Sequence, residues 1–468
     1  MNLRRNNKIK SCCSQNGHFL NRIKIFFILL SIQIYAYWDI QTVDTTGGSY
    51  SSLAIDTSGY VHIAYYDDTN HDLKYAKWNG TSWIIETVDS ANYVGKYCSI
   101  AVDTSGYVHI SYYDVTNQDL KYAKKTIYGW SVQTIDSTGD VGTYTSLMLN
   151  TSGYPHIAYR DETNSCIKIA KYNGSSWSVS TFGSNFNGKD LSLAIDQQNR
   201  NYIAFYDIPS QCLKWAVWYA PTPLTVDSSP NSGHYCSLKL DQNGNAHVSY
   251  SKNFSLWYAY YNGSSWNTEQ VVPSYAGSYT SLAIDQFNTP HIAFYRTSGM
   301  FHLDYVKKTT STWLLSTVDS SADVGMYVSL ALDTSGYAHM AYYDATNHDL
   351  KYAKWIPSSP SIECAGEPGY FYDAVEPDVG SRLDTFTFNI KYINNVPVLP
   401  ATGYPKIHIK KNGVPIPGSP FTMTELDPND NNVLDGKIYS YSIQLSSIGS
   451  NYSYYIEVYD FSYMLFPT

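Results

Sequence analysis

One segment recurs seven times along this chain and constrains its fold more than any other feature. The clearest copies are SLAIDTSGYVHIAYYDDTNHDLKYAKW, which begins at Ser52, and SLALDTSGYAHMAYYDATNHDLKYAKW, which begins at Ser329. The residue that ends the first apolar run marks each copy, and successive markers lie 44 to 48 residues apart. The markers are Asp56, Asp103, Asn150, Asp196, Asp241, Asp285 and Asp333. A repeat of this length is typical of architectures in which each copy is one supersecondary unit.

Each copy has the pattern of four short strands. In the first strand, Leu53 and Ile55 alternate with small or polar residues, which is the two-residue period of a half-buried strand. Asn79-Gly80 favours a tight hairpin, and the remaining strands are expected over 62–67, 73–78 and 83–88. Four antiparallel strands in each of seven copies predict an all-β chain whose residues 37–355 form a seven-bladed β-propeller of four-stranded blades.

The phase of the repeats predicts how the ring closes. A fourth-strand segment precedes the first copy at residues 38–44, whereas the last copy stops after its third strand, at Trp355. We therefore expect residues 38–44 to supply the missing strand of the seventh blade. This pairing would remove a sheet edge that otherwise invites aggregation.

Residues 1–36 have the pattern of an export signal. Six basic residues between Arg4 and Lys24 precede an apolar run from Ile25 to Tyr37, as in a secretory signal peptide. The run is shorter than the roughly 20 residues that span a bilayer, and the alternative is an uncleaved signal anchor. The sequence therefore predicts a secreted or cell-surface protein, with the membrane as a partner only if this segment is uncleaved.

Composition and charge agree with export. The chain has a formal charge of −9, with 16% aromatic and only 15% charged residues. Nucleic acid is excluded as a partner, because binding phosphate requires a basic surface. A disulfide requires Cα atoms within about 7 Å, and the cysteines of the repeats are expected to lie farther apart than that. We predict that Cys98, Cys166, Cys212, Cys236 and Cys364 are mostly free, buried thiols.

After Trp355 the period ends. A proline-rich linker is expected over 356–381, and residues 382–468 contain alternating segments that begin near Thr385, Lys406, Lys437 and Tyr452. Alternation of this kind predicts a small β-sandwich. The segment resembles the Ig-like accessory domains of secreted prokaryotic proteins, and this resemblance implies a spacer or a surface attachment.

The sequence predicts no cofactor, and calcium is the one alternative that it allows. Oxygen-bearing residues cluster between two strands of the C-terminal segment, although they lack the spacing and the bidentate glutamate of an EF-hand. These candidate ligands are Asp427, Asp430, Asn432 and Asp435. The turn that begins at Asp67 also offers oxygens, but Asx-turn hydrogen bonds explain the same residues without metal.

A histidine opens the second strand in six copies, and Tyr202 takes its place in the fourth. Because each histidine belongs to a different repeat, they are spread around the ring rather than clustered. We interpret each as a scaffold residue that is hydrogen-bonded within its own blade, and not as a metal ligand. They are His62, His109, His156, His247, His291 and His339.

A tyrosine stands two residues before a serine at the start of six copies, and Asp190 holds this position in the fourth. If the first strand is innermost, these residues surround the mouth of the central channel. Aromatic planes beside hydroxyls and a carboxylate suit the CH faces and hydroxyls of sugars, whereas packing between blades is the structural alternative. The candidate ligand-binding residues are Tyr50, Tyr97, Tyr144, Asp190, Tyr235, Tyr279 and Tyr327.

The pattern SLAxD-x-SG-x-x-HIxYYD-x-TN-x-x-LKYA resembles the repeats of secreted propeller proteins of bacterial and archaeal surfaces. Its Ala-x-Asp-Thr-Ser-Gly-Tyr segment is similar to the Asp-box of sialidase-type propellers, without the trailing Thr-Trp. That similarity would imply three arginines converging on a substrate carboxylate. Arg160, Arg200 and Arg296 instead hold three different positions in their repeats, so a sialidase is not expected.

The sequence contains no Ser-His-Asp triad, isolated carboxylate pair or phosphate loop, and we assign no catalytic residue. It predicts an exported, non-enzymatic binding or adhesion protein whose ligand is a glycan or a surface protein. One alternative is a glycan-processing enzyme, hydrolase or lyase, of the propeller type. The other is a structural component of the cell envelope.

Overall fold

The computed structural model describes residues 37–182, 186–218, 220, 222–297, 301–309, 312–356, 384–393, 400, 403–428, 437–445 and 452–457, and the backbone of short strands outside these ranges. The described residues form strands, turns and bends without an α-helix, so the predicted all-β class is confirmed. None of them builds a helix of the length and hydropathy needed to cross a bilayer. The chain divides into two compact units, Trp38–Trp355 and Met1–Tyr37 with Ile356–Thr468.

The unit Trp38–Trp355 contains seven four-stranded antiparallel sheets, numbered here one to seven along the chain. The first strands are Ser49–Ile55, Val94–Val102, Val141–Leu149, Gly188–Ile195, Ser232–Leu240, Ser278–Ile284 and Val324–Leu332. The second strands are Val61–Tyr66, Val108–Asp114, Pro155–Asp161, Asn201–Asp207, Ala246–Lys252, Pro290–Arg296 and Ala338–Asp344. The third strands are Leu73–Trp78, Asp119–Thr126, Cys166–Tyr172, Cys212–Val217, Ser255–Tyr261, His302–Lys308 and Asp349–Ile356. The fourth strands are Trp83–Asp89, Gly129–Asp136, Trp177–Thr181, Leu224–Asp227, Trp266–Val272, Trp313–Asp319 and, for sheet seven, Tyr37–Asp44.

The first strands form a closed ring. Each contacts the first strand of the next sheet, and the strand of sheet seven contacts that of sheet one. A serine of each first strand accepts a hydrogen bond from a backbone N–H of the next sheet, with distances of 2.9 to 3.1 Å. The cycle is complete, because Ser329 of sheet seven accepts from Leu53 of sheet one. These sheets and their closure are consistent with a β-propeller.

As predicted, the N-terminal strand completes sheet seven. Tyr37–Asp44 lies beside the third strand of that sheet, Asp349–Ile356. The Trp38 ring packs edge-on against Trp355 at 5.0 Å and Tyr305 at 5.3 Å between centroids. Its indole N–H donates to Ser316 at 3.1 Å, so the strand contacts both sheet six and sheet seven.

A buried aspartate at the end of a fourth strand binds the next sheet in five of the seven junctions. In each, a tyrosine of the following second strand donates to the carboxylate at 2.5 to 2.7 Å, and a lysine pairs with it. The aspartates are Asp44, Asp89, Asp136, Asp227 and Asp319. In the other two junctions Gly183 and Pro273 replace the aspartate, and Phe205 and Phe294 replace the tyrosine. The acceptor and the donor are therefore lost together.

Variants that remove or add one hydroxyl at these junctions should show that the tyrosine and the aspartate stabilise the fold as a pair. Burial alone would raise the pKa of Asp89, but bonds from Lys121 and Tyr112 outweigh it and hold the pKa below its usual value. We expect Tyr112→Phe to destabilise the fold by about 1–3 kcal/mol, because the buried carboxylate loses a donor. Phe294→Tyr should be destabilising as well, since Pro273 offers its hydroxyl no carboxylate. Urea denaturation of both variants tests this, and a neutral Tyr112→Phe would contradict it.

The repeated histidines are scaffold residues, as interpreted from the sequence. In five sheets the imidazole Nδ1 meets a tyrosine hydroxyl of the third strand at 2.5 to 2.7 Å. In four of these sheets Nε2 also meets the marker aspartate, at 3.1 to 3.3 Å. His156 differs, because its Nδ1 bonds to Asn201 of sheet four at 2.7 Å.

The other unit contains two larger sheets that share a core. One sheet is formed by Ser361–Cys364, Thr385–Ile393, Lys437–Gln444 and Thr424–Glu425, with Val375–Glu376. The second is formed by Val379–Gly380, Ile23–Phe26, Tyr452–Glu457, Lys406–Lys411 and Val414–Pro415, with Phe421–Thr422, and Ser11–Cys13 pairs separately with Ile28–Leu29. Alternate residues of both sheets are buried together, including Phe388 and Tyr454, whose rings lie 4.8 Å apart.

Candidate functional site

The start of every first strand is bulged in the same way. In sheet one, Ser49 pairs with Tyr66 and Ser52 pairs with Ala64, so the first strand has one more residue than the second strand over this interval. The same shift recurs in all seven sheets. At each bulge the predicted site residue has a left-handed backbone, with φ between 51° and 55°. Such a φ costs about 1–2 kcal/mol for a residue other than glycine. A bulge redirects the side chain that it carries, and here the seven redirected side chains meet.

The seven predicted site residues line one cavity of about 210 Å³, surrounded by the first strands. Neighbouring tyrosine rings are in contact, with centroids 4.5 to 4.8 Å apart around the run from Tyr235 through Tyr279, Tyr327, Tyr50 and Tyr97 to Tyr144. Asp190 occupies the remaining place, between Tyr144 and Tyr235. We call this set the tyrosine ring. All the candidate ligand-binding residues of the propeller are thus brought together.

Residues directly after the tyrosine ring hold its backbone in place. Ser51, Thr145 and Thr280 donate to the carbonyl of the ring residue in the preceding sheet, at 2.7 to 2.9 Å. The thiols of Cys98 and Cys236 do the same at 3.0 and 2.8 Å. These bonds link five of the seven strained residues to the following sheet and support the ring conformation.

Burial raises the pKa of five phenols of the tyrosine ring above the usual value. Burial, reinforced by the negative charges of Asp190 and Glu162, raises the pKa of Tyr144 to about 12. Burial and the two flanking tyrosines raise the pKa of Tyr97 and of Tyr327 further. These phenols are therefore neutral hydrogen-bond donors and acceptors at pH 7, and the side chain of Asp190, 12% exposed, completes the ring.

A histidine that sequence reasoning missed stands beside Asp190. His234 Nδ1 lies 3.4 Å from the Asp190 carboxylate, and its ring stacks on Tyr206 with centroids 3.9 Å apart. His234 is the residue before Tyr235, and the corresponding residue of sheet four is Lys189, whose ammonium lies 5.5 Å from the Tyr206 centroid. The only signal in the sequence was that this position varies between repeats, whereas the residue before it is always glycine and the residue after it is tyrosine in six copies.

The three arginines of the repeats bind three different acids, as their positions predicted. Arg160 pairs with Glu162 at 2.7 Å, Arg200 with Asp196 at 2.5 Å and Arg296 with Asp304 at 2.6 Å. Arg160 is also fixed by hydrogen bonds to Asn187 and to the Gly188 carbonyl. No convergent arginine triad is formed by these residues.

Four cysteines of the repeats form no disulfide in the described part of the chain. Cys98, Cys166, Cys212 and Cys236 are free and buried, which confirms the prediction for these four. In the Asp67 turn, the carboxylate accepts from Asn70 and pairs with Lys74 at 2.8 Å, which is Asx-turn chemistry. Of the C-terminal candidates, Asp427 is described, whereas Asp430, Asn432 and Asp435 lie outside the described residues. Within the described part of the chain, no three His, Cys, Asp or Glu side chains are grouped to hold a metal.

No protein-family model and no curated protein matches the sequence. Similar solved structures include a fucose-specific lectin from Aleuria aurantia, at 14% identity over 60% of this chain and 99% of the lectin, with a TM-score of 0.41. AofleA from Arthrobotrys oligospora is 14% identical over 62% of this chain and 91% of its own, with a TM-score of 0.43. A PL25 ulvan lyase bound to -[GlcA(1-4)Rha3S]- is 12% identical over 68% of this chain and 95% of its own, with a TM-score of 0.48. At these values the fold is argued from the sheets and their closure alone.

Proposed function

We propose that the seven sheets of Trp38–Trp355 are the blades of a seven-bladed β-propeller and that the tyrosine ring is a glycan-binding mouth. The observation that carries the proposal is the convergence of six phenol rings and one carboxylate on a single cavity, each held in a left-handed conformation. A residue in a strained conformation persists only where its surroundings impose it, and such residues cluster at binding sites. The protein is proposed to act as an exported, non-enzymatic binding or adhesion module.

The chemistry of the tyrosine ring suits a sugar. Phenol planes offer apolar faces to sugar CH groups, while their hydroxyls and the Asp190 carboxylate can bond sugar hydroxyls. The cavity of about 210 Å³ is smaller than the roughly 300–1,000 Å³ of typical ligand pockets. We therefore expect the ring to take one terminal sugar unit, with the rest of the glycan lying across the surrounding face.

The remaining segments are assigned supporting roles in this proposal. Residues 1–36 direct export, and residues 382–468, extended by the strands Ser361–Cys364, Val375–Glu376 and Val379–Gly380 from within the predicted linker 356–381, form an Ig-like sandwich that acts as a spacer or surface attachment. The burial of alternate residues of Thr385–Ile393 and Tyr452–Glu457 in one core supports the sandwich. Calcium binding by residues 427–435 remains part of the proposal.

A glycan array tests the proposal, followed by titration of every hit. We expect binding that falls at least about tenfold in Tyr97→Asn, because asparagine tolerates a left-handed backbone but removes the aromatic plane. Tyr97→Phe is the matched control, since it keeps the plane and removes only the hydroxyl. An array without hits, or hits that bind Tyr97→Asn unchanged, would reject the glycan-binding mouth.

The pair of His234 and Asp190 favours a second candidate, a glycan-processing enzyme. Histidine is the commonest general acid or base, and His234 lies with its Nδ1 3.4 Å from the carboxylate of Asp190, which lines the cavity. This candidate predicts product from a bound polysaccharide after long incubation, and loss of product in His234→Gln. Binding without product in the unmodified protein would leave the non-enzymatic function.

A further inference from the structure

A separate cavity of about 540 Å³ lies between sheets five and six, away from the tyrosine ring. Sheet five contributes Asp241, His247, Tyr260 and Glu269, and sheet six contributes Lys308. None of these residues lines the cavity of the tyrosine ring. We call this cavity the five-six cleft. Its volume falls within the roughly 300–1,000 Å³ range of ligand sites.

One wall of the five-six cleft holds a buried polar atom without a partner. His247 is 3% exposed, and its Nε2 has no hydrogen-bond partner among the described residues. Its distance to the Asp241 carboxylate is 3.5 Å, whereas the equivalent bonds of four other sheets measure 3.1 to 3.3 Å. Tyr258 binds the other imidazole nitrogen at 2.5 Å. When that hydroxyl donates, Nε2 carries the proton and is a donor without an acceptor.

His247 Nε2 lacks a partner in the described part of the chain because sheet five departs from the repeat at position 245. Asn245 donates its side-chain amide to Asp241 at 2.9 Å and so occupies the oxygen that other histidines use. In four repeats this position is a tyrosine: Tyr60, Tyr107, Tyr154 and Tyr337. An unsatisfied buried donor costs about 1–3 kcal/mol, so a ligand that supplies an acceptor there recovers free energy.

A second residue of sheet five departs from the repeat as well. Tyr260 pairs across the sheet with His247, and its ring lies 4.8 Å from the imidazole. Five other sheets hold a lysine at this register position: Lys77, Lys124, Lys171, Lys307 and Lys354. Glu269 completes the cleft, 41% exposed, where it pairs with Lys308 and accepts from the Trp313 indole at 3.2 Å. The cleft therefore combines an aromatic plane, a neutral donor and a carboxylate.

We propose that the five-six cleft is a second carbohydrate site, independent of the tyrosine ring. A sugar hydroxyl oxygen accepts from His247 Nε2, the CH face of the sugar covers Tyr260, and a second hydroxyl donates to Glu269. A lysine in place of Tyr260 would remove the aromatic plane. A tyrosine in place of Asn245 would release Asp241 to bind His247, as in the other repeats.

Methyl glycosides of glucose, galactose, mannose, fucose and N-acetylglucosamine are the probes, added to full-length protein with ¹⁵N-labelled histidine. We expect at least one glycoside to shift the His247 Nε2 resonance. Tyr260→Lys and Asn245→Tyr should each weaken that glycoside at least about tenfold with the melting temperature retained, because both install the residue of other repeats. Tyr97→Asn, which alters only the tyrosine ring, should leave the affinity unchanged.

The proposal is overturned if no glycoside shifts the His247 resonance, or if Tyr260→Lys and Asn245→Tyr bind as the unmodified protein does. It is also overturned if Tyr97→Asn abolishes the shift, because the signal would then report the tyrosine ring. If a glycoside binds in the five-six cleft but no glycan binds at the tyrosine ring, only the proposal for the tyrosine ring is rejected. The two proposals can therefore be tested separately.

Discussion

Deletion of residues 37–44 is expected to lower the melting temperature of the Trp38–Trp355 unit by at least about 10 °C. The deletion removes the fourth strand of sheet seven and the aromatic contacts of Trp38 with Tyr305 and Trp355. It also removes Asp44, which accepts from Tyr65 at 2.5 Å and pairs with Lys74 at 3.2 Å. Lost packing and the buried Tyr65 hydroxyl without its acceptor together cost about 5 kcal/mol or more.

Two point variants in the same strand serve as controls. Trp38→Ala should reproduce part of the loss, about 3–5 kcal/mol, because its ring fills a packed site between sheets six and seven. Ile40→Ser should be nearly neutral, since Ile40 is 36% exposed. An unchanged melting temperature after deletion would mean that this strand does not close the ring.

Acidification from pH 7 to pH 5.5 is expected to destabilise the same unit by about 4 kcal/mol or more. Burial lowers the pKa of six scaffold histidines, and the carboxylate or amide oxygens beside them offset this effect only in part. The unfolded chain, with a histidine pKa near 6.5, therefore binds more protons as the pH falls. The stabilisation by the neutral histidines is therefore fully present above the histidine pKa of the unfolded chain, and it declines as the pH falls below that value.

Urea denaturation at pH 7.5, 6.5 and 5.5 measures this dependence. His339→Gln should reduce the slope by the share of one histidine, because one buried imidazole no longer titrates. A second decline is expected below the usual aspartate pKa, since the pKa values of Asp89, Asp136 and Asp319 are held low in the folded chain. Equal stability at pH 7.5 and 5.5 would contradict the buried, neutral histidines.

The repeat made most of this unit predictable from sequence. Two-residue alternation located the strands to within a few residues, and the phase of the copies placed residues 38–44 beside the last third strand. The offset of the tyrosines from the serines also indicated that Tyr50 and its equivalents share one location. These inferences succeed because each copy repeats the same local pattern, so an error in one repeat is corrected by the others.

Features that depend on three-dimensional exceptions were not predictable. The left-handed φ of Tyr97 follows from a bulge whose extra residue becomes visible only in the pairing register. The partner of His156 is Asn201 of the next sheet, and repeat logic assigned it a partner within its own sheet. His234 escaped notice because its significance comes from Asp190, which lies 44 residues earlier in the chain.

The most direct test of the account is a titration of the strongest array glycan against three proteins measured side by side. The unmodified chain and Tyr260→Lys, which alters only the five-six cleft, should bind this glycan at the tyrosine ring with equal affinity. Tyr279→Asn should bind it at least about tenfold more weakly, because one aromatic plane of the tyrosine ring is lost while the left-handed backbone is tolerated. Equal affinity of Tyr279→Asn and the unmodified protein would contradict the assignment of the tyrosine ring as the glycan-binding mouth.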